Sequence, residues 1–103
     1  ANPGGEWMSK VEIEHPRLVR KGESCSLLVR VPETKATKEV FIKVSRGADL
    51  PDGNVFRLAP EVKSANIPVT FSRDAPDIIE VKINVKSKSG ESYERIKSLK
   101  IRE

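Results

Sequence analysis

The strongest constraint in this sequence is an alternation of period two. Ile79, Val81, Ile83 and Val85 are interleaved with Glu80, Lys82, Asn84 and Lys86. Successive side chains of a strand point to opposite faces, so this run has one buried and one solvated face. The same period recurs along the chain. Val11 and Ile13 alternate with Lys10, Glu12 and Glu14, ending at His15-Pro16. Cys25, Leu27, Val29 and Val31 alternate with Ser24, Ser26, Leu28 and Arg30, and Pro32 closes the run. Val40, Ile42 and Val44 alternate with Glu39, Phe41, Lys43 and Ser45. Val55 to Leu58 reads as a short edge strand, and Ile67, Val69 and Phe71 as another. In the last run, Tyr93 to Ile101, Leu99 and Ile101 lie in one phase and Ile96 in the other, which predicts a bulge.

Turn chemistry separates these runs. Arg20-Lys21-Gly22-Glu23, Pro51-Asp52-Gly53-Asn54 and Arg73-Asp74-Ala75-Pro76-Asp77 read as connections, and Lys88-Ser89-Gly90-Glu91 as a hairpin. No segment has a sustained helical period; Pro60 to Ala65 allows one or two turns. With 103 residues the chain holds one core and no second. The expectation is an all-β fold, a single antiparallel β-sandwich of about seven strands. Residues 1–7 are expected to be a flexible linker or vector remnant, and residues 8–103 the sandwich domain.

About seven strands at this spacing, with Leu18 to Ser24 forming a corner before the Cys25–Val31 strand, resemble immunoglobulin-like and fibronectin type III-like β-sandwiches. The resemblance is one of fold and spans nearly the whole chain. It implies that the third, sixth and seventh strands share a sheet.

The residue inventory narrows the chemistry. One cysteine excludes an internal disulfide, and one cysteine with one histidine does not make a zinc site. Cys25 falls in the inward phase of its strand and reads as a structural thiol. His15, before a proline at a strand end, reads as a surface turn residue. The pairs Asp49/Asp52 and Asp74/Asp77 are carboxylates in loops, where Asp commonly closes turns. Asp49, Asp52 and Asn54 offer oxygen ligands of the kind calcium takes, without EF-hand spacing. The glycines at 22, 47, 53 and 90 are isolated, so no phosphate-cradling loop is present. The reading is therefore not an enzyme, with no cofactor.

The net charge is +4, and residues 79–103 hold seven basic against four acidic residues. If the apolar phases face the core, Phe41, Lys43, Lys82, Asn84 and Lys86 share the outer face of one sheet. Lys88 extends the row at the hairpin, with Arg95 or Lys97 flanking it. This predicts a basic face with one aromatic, suited to a protein partner or to a polyanion such as an acidic glycan or nucleic acid. The leading expectation is a non-catalytic module, a structural spacer or protein-interaction domain of a larger protein. Its partners would be another protein or neighbouring domains of the same chain; polyanion binding is the alternative. No apolar run reaches the ~20 residues of a membrane helix, so no membrane insertion is expected. The edge run Asn54 to Leu58 allows a monomer or a weak dimer. The reading leans to an extracellular or cell-surface module, and to an intracellular one if Met8 is the natural start.

Overall fold

A computed structural model describes residues 10–103. The expected linker at residues 1–7 lies outside the described residues. Eight strands follow one another: β1 (Glu12–Glu14), β2 (Ser24–Arg30), β3 (Lys38–Val44), β4 (Ala48–Asp49), β5 (Val55–Leu58), β6 (Ser64–Phe71), β7 (Ile78–Ser87) and β8 (Ser92–Lys100). They form two antiparallel four-stranded sheets, β1-β2-β6-β4 and β5-β3-β7-β8, packed as an all-β sandwich. The two-residue strand β4 is the one that alternation could not reveal. The other seven correspond to the expected runs, and the third, sixth and seventh of these share a sheet.

The core follows from the alternation. Leu27, Val29, Ile67 and Val69 of the first sheet are fully buried, as are Val40, Ile79, Val81, Ile83 and Val85 of the second. Each pair of facing aliphatic layers removes apolar surface from water, which is the main favourable term in a domain of this size. Register is fixed because a slip of one residue would turn these side chains out and bring charges in.

The Gly47 turn couples the sheets' connections. Its φ of +105° is unfavourable for any residue with a Cβ, and an added Cβ would lie 2.7 Å from Pro76 Cδ. The close approach lets the Gly47 carbonyl accept the Ser72 N–H at 2.9 Å, above the buried Ala75. Between Pro60 and Ala65 there is a single turn, closed by Val62 N–H to Ala59 O, and β6 already begins at Ser64. The hairpin at Lys88–Glu91 is present, with Ser87 N–H bonded to Glu91 O at 2.9 Å and Gly90 at φ +100°.

Two expectations for β8 are corrected. The pairing from Ile78–Lys100 to Lys86–Ser92 runs without interruption, so there is no bulge. Ile96 accordingly lies on the outer face, 49% exposed. Arg95 and Lys97 share the phase of Leu99 and point to the inner side at the sheet edge. They do not flank the outer row. Lys97 packs its stem along that edge and donates from Nζ to Ile13 O of β1 at 2.9 Å, bridging the two sheets.

A second charged group lies inside. Lys38, at the head of β3, has 0% exposure, because it stands two residues before Val40 in the inward phase. Its Nζ donates to Pro32 O at 2.8 Å and to Pro60 O at 2.9 Å. Burial pushes its pKa down, against the pull of Glu33, Glu61 and Glu91. The ammonium thus ties together the two loops at one end of the sandwich.

Candidate interaction face

The outer surface of β5-β3-β7-β8 gathers most of the residues singled out from the sequence. Cross-strand pairing sets them in rows. Lys43 lies directly opposite Lys82, which lies opposite Ile96. In the next row Val55, Phe41, Asn84 and Glu94 stand side by side. The third row is Arg57, Glu39, Lys86 and Ser92. Lys88 is exposed in the hairpin beyond Lys86. Thus Phe41, Lys43, Lys82, Asn84 and Lys86 share one face, and Lys88 caps it. Alternation alone accounts for this, since each sits between inward aliphatics.

The face is less uniformly basic than the lysine spacing implies. Glu39, Glu80 and Glu94 project from it alongside Lys43, Arg57, Lys82, Lys86 and Lys100. Arg57 Nη2 donates to Glu39 Oε2 at 3.2 Å, and Lys82 Nζ is 3.9 Å from Glu94 Oε1. Four apolar side chains project with them: Phe41 half-buried, Val55 44% exposed, Ile96 49% exposed and, beside Lys100, Ile78 60% exposed. Ile96 and Val55 were not picked out beforehand. The signal for Val55 was its pairing phase with Phe41; for Ile96 it was the unbroken alternation with Leu99. A shallow depression of about 290 Å³ opens here, lined by Lys43, Val44, Ser45, Glu80, Lys82 and Ile96. Ser45 Oγ accepts the Glu80 N–H at 2.8 Å and closes its floor.

A larger concavity, about 470 Å³, lies at one end between Leu18, Arg20, Asp77 and residues 100–103. Several charges in and around it are engaged with one another. Arg20 Nη1 donates to Glu103 O at 2.7 Å, and Lys21 Nζ bonds Asp77 at 2.8 Å and Glu103 at 3.2 Å. The hydrogen bond from Lys21 lowers the Asp77 pKa, and that same bond raises the pKa of Lys21.

The remaining chemistry-bearing residues stand apart from the face. His15 Nδ1 is 2.7 Å from Pro16 O at the end of β1. Cys25 is half-buried on β2, opposite Val69, and burial pushes its thiol pKa up. Asp49 is on β4 in the other sheet, paired across from Thr70. Asp52 and Asn54 are exposed in the turn closed by Gly53 N–H to Leu50 O at 3.0 Å, and Asn54 O accepts the Ile42 N–H. Among the described residues no three His, Cys, Asp or Glu side chains cluster as metal ligands would. Among them, too, no helix is long and apolar enough to cross a membrane.

No protein-family model matches the chain. No curated protein matches it in sequence. Among solved structures, the fold is similar to that of a conjugative transposon lipoprotein from Bacteroides eggerthii DSM 20697. The TM-score is 0.58 at 16% identity, covering 86% of this chain and 93% of that one.

Proposed function

We propose that this chain is a non-catalytic, immunoglobulin-like β-sandwich module that acts as a spacer or protein-interaction domain of a larger protein. The observation that carries this reading is the path of the backbone. Residues 19–21 run parallel to the end of β8, with Arg102 N–H bonded to Val19 O and Lys21 N–H to Arg102 O. Earlier in the chain, Glu12 pairs with Arg30, which pairs in turn with Ser64, beside the loops that meet the β7–β8 hairpin through Lys88 N–H and Thr37 O. β1 therefore starts at the hairpin end and β8 finishes at the opposite end, a geometry that supports the spacer reading. The fold-level likeness to a conjugative transposon lipoprotein is compatible with such a role. His15 and Asp77 are each engaged in local bonds, and Cys25 is half-buried, which supports the non-catalytic part of the reading.

A rigid spacer holds its ends at one distance. With Cys25→Ser as background, spin labels at Lys10→Cys and Glu103→Cys should give one narrow distance distribution. Its centre should lie near roughly 30 Å, the rise of a nine-residue strand, at any salt concentration. A broad or salt-dependent distribution overturns the spacer reading.

The alternative, polyanion binding, draws support from the Lys43–Lys82 opposition. The interspersed Glu39, Glu80 and Glu94 count against it, because a run of phosphates or sulfates needs a field of one sign.

A further inference from the structure

Resting on the reading of the chain as a protein-interaction module, we propose that the β5-β3-β7-β8 face docks an acidic, extended protein segment. That segment presents a carboxylate to Lys43 and Lys82 and an apolar side chain to Phe41 and Val55.

Three features of the face support this. First, Lys43 and Lys82 are direct cross-strand partners. Like charges placed so are destabilising by themselves. Lys82 reaches only the distant Glu94 carboxylate, at 3.9 Å, and Lys43 forms no ion pair among the described residues. A carboxylate from outside, set over the two ammonium groups, converts that repulsion into attraction. Second, the neighbouring row offers apolar surface, with Phe41 beside the 44%-exposed Val55. Ile96, beside Lys82, adds a second apolar group at the rim of the depression. An apolar centre with a charged border is the anatomy of a protein interface. Third, the spacing matches an extended partner. The cationic row and the apolar row are two residues apart along β3, roughly 7 Å. Same-face side chains at i and i+2 of an extended segment have that separation too, so an acidic residue and an apolar one two positions on meet both rows together. Glu80 and Glu94 lie within the footprint. They disfavour a continuous polyanion and still tolerate a segment whose carboxylates are spaced by apolar residues.

The test uses the full chain, labelled with nitrogen-15, and a twelve-residue peptide of Thr-Glu-Thr-Leu repeats. Comparison probes are the Thr-Lys-Thr-Leu peptide, poly-glutamate, heparin and a twelve-nucleotide thymidine oligomer. The glutamate–leucine peptide should give saturable amide shifts centred on Phe41, Lys43, Lys82 and Ile96. The Lys43→Gln/Lys82→Gln variant, which removes both ammonium groups without adding carboxylates, should weaken it by roughly tenfold or more while its thermal melt stays cooperative. Ile96→Ser should weaken it as well, which a purely ionic contact would not show. Absence of saturable shifts overturns the proposal, as does equal binding of the lysine peptide or of poly-glutamate. Tighter binding of heparin or the oligomer, with a steep salt dependence, overturns it in favour of a polyanion surface. The label-to-label distance is read in a separate experiment, so the docking proposal can fail while the spacer reading stands.

Discussion

Replacing Lys38 separates what its stem does from what its charge does. The side chain has no exposure, so Lys38→Ala removes the Cγ, Cδ and Cε groups from a packed site. At about 0.8 kcal/mol per buried methylene, the stem accounts for about 2.4 kcal/mol. The cavity left behind raises this further where the surroundings cannot collapse. The two carbonyls, Pro32 O and Pro60 O, also lose their donor. Both prolines are half-buried, so water can replace part of that interaction. Release from the desolvated charge, seen in the depressed pKa, offsets another part. The net loss on this side is about 1 kcal/mol. Lys38→Met keeps a stem of similar length and loses only the ammonium, so it should cost about 1 kcal/mol. Lys38→Ala should cost about 3 kcal/mol, a fall of roughly 15 °C in melting temperature for a domain of this size. Urea titration followed by circular dichroism measures both variants against the parent. A methionine variant as damaged as the alanine one would refute the stem argument. An alanine variant within about 1 kcal/mol of the parent would refute the burial itself.

The same lysine sets a pH dependence. Its folded pKa lies below the unfolded value, so between the two the unfolded chain binds more protons and stability rises with pH. Chemical denaturation from neutral pH up to about 10.5 should show this rise, and Lys38→Met should lack it. Lys21, raised by Asp77, works in the opposite sense: its contribution is present below the unfolded value and is lost as pH climbs through the folded one. Lys21→Met should therefore leave the rise below about 10.5 unaltered and remove a loss of stability that the parent shows when the titration is carried higher. Cys25 should react slowly with iodoacetamide, its rate climbing only above the pH at which a free thiol responds, because burial disfavours the thiolate. Gly47→Ala should destabilise by about 2 kcal/mol or more through backbone strain and the Pro76 clash, while Gly53→Ala, at φ +91° in open space, should cost about 1 kcal/mol; thermal melts compare them. Ile83→Ala, in the centre of the core, should cost about 3 kcal/mol by urea titration.

The sandwich was legible wherever burial on one face and solvation on the other left an alternating record. β7 shows it best: its four odd-numbered aliphatics, Ile79 to Val85, are fully buried. The shared face followed from the same phase rule. What the sequence concealed were the places where chemistry and phase disagree. Lys38, Arg95 and Lys97 occupy inward positions, and Ile96 an outward one. Assigning β8 by hydrophobicity placed Ile96 inside and required a bulge; assigning it by phase places two cations inside and requires none. Long cationic side chains are tolerated there because the sandwich is open at the β8 edge, where a stem can lie on apolar surface while its head reaches a carbonyl. The carboxylates of the face were equally visible in the sequence. Their effect was not, because it depends on which lysine each one neighbours across the strands.

Those inward cations bear on where a partner can bind. β8 is a nine-residue edge strand, long enough to template the pairing of another chain. Charged side chains directed inward at an edge oppose such pairing, since an added strand would have to cover Arg95 and Lys97 without their solvent or carbonyl partners. Lys97 is already committed to Ile13 O and holds β1 against this side. At the far edge β5 is only four residues long and is entered from an exposed turn. Both edges of the sheet are thus poor sites for strand addition, whereas its outer surface keeps Phe41, Val55 and Ile96 beside unneutralised lysine. Removing the guard should expose the difference: Arg95→Thr/Lys97→Thr should self-associate, seen by sedimentation velocity, while leaving peptide shifts at Phe41 and Lys43 in place. Retention of the parent's sedimentation behaviour in that variant would show that the inward cations are not what keeps the edge unpaired.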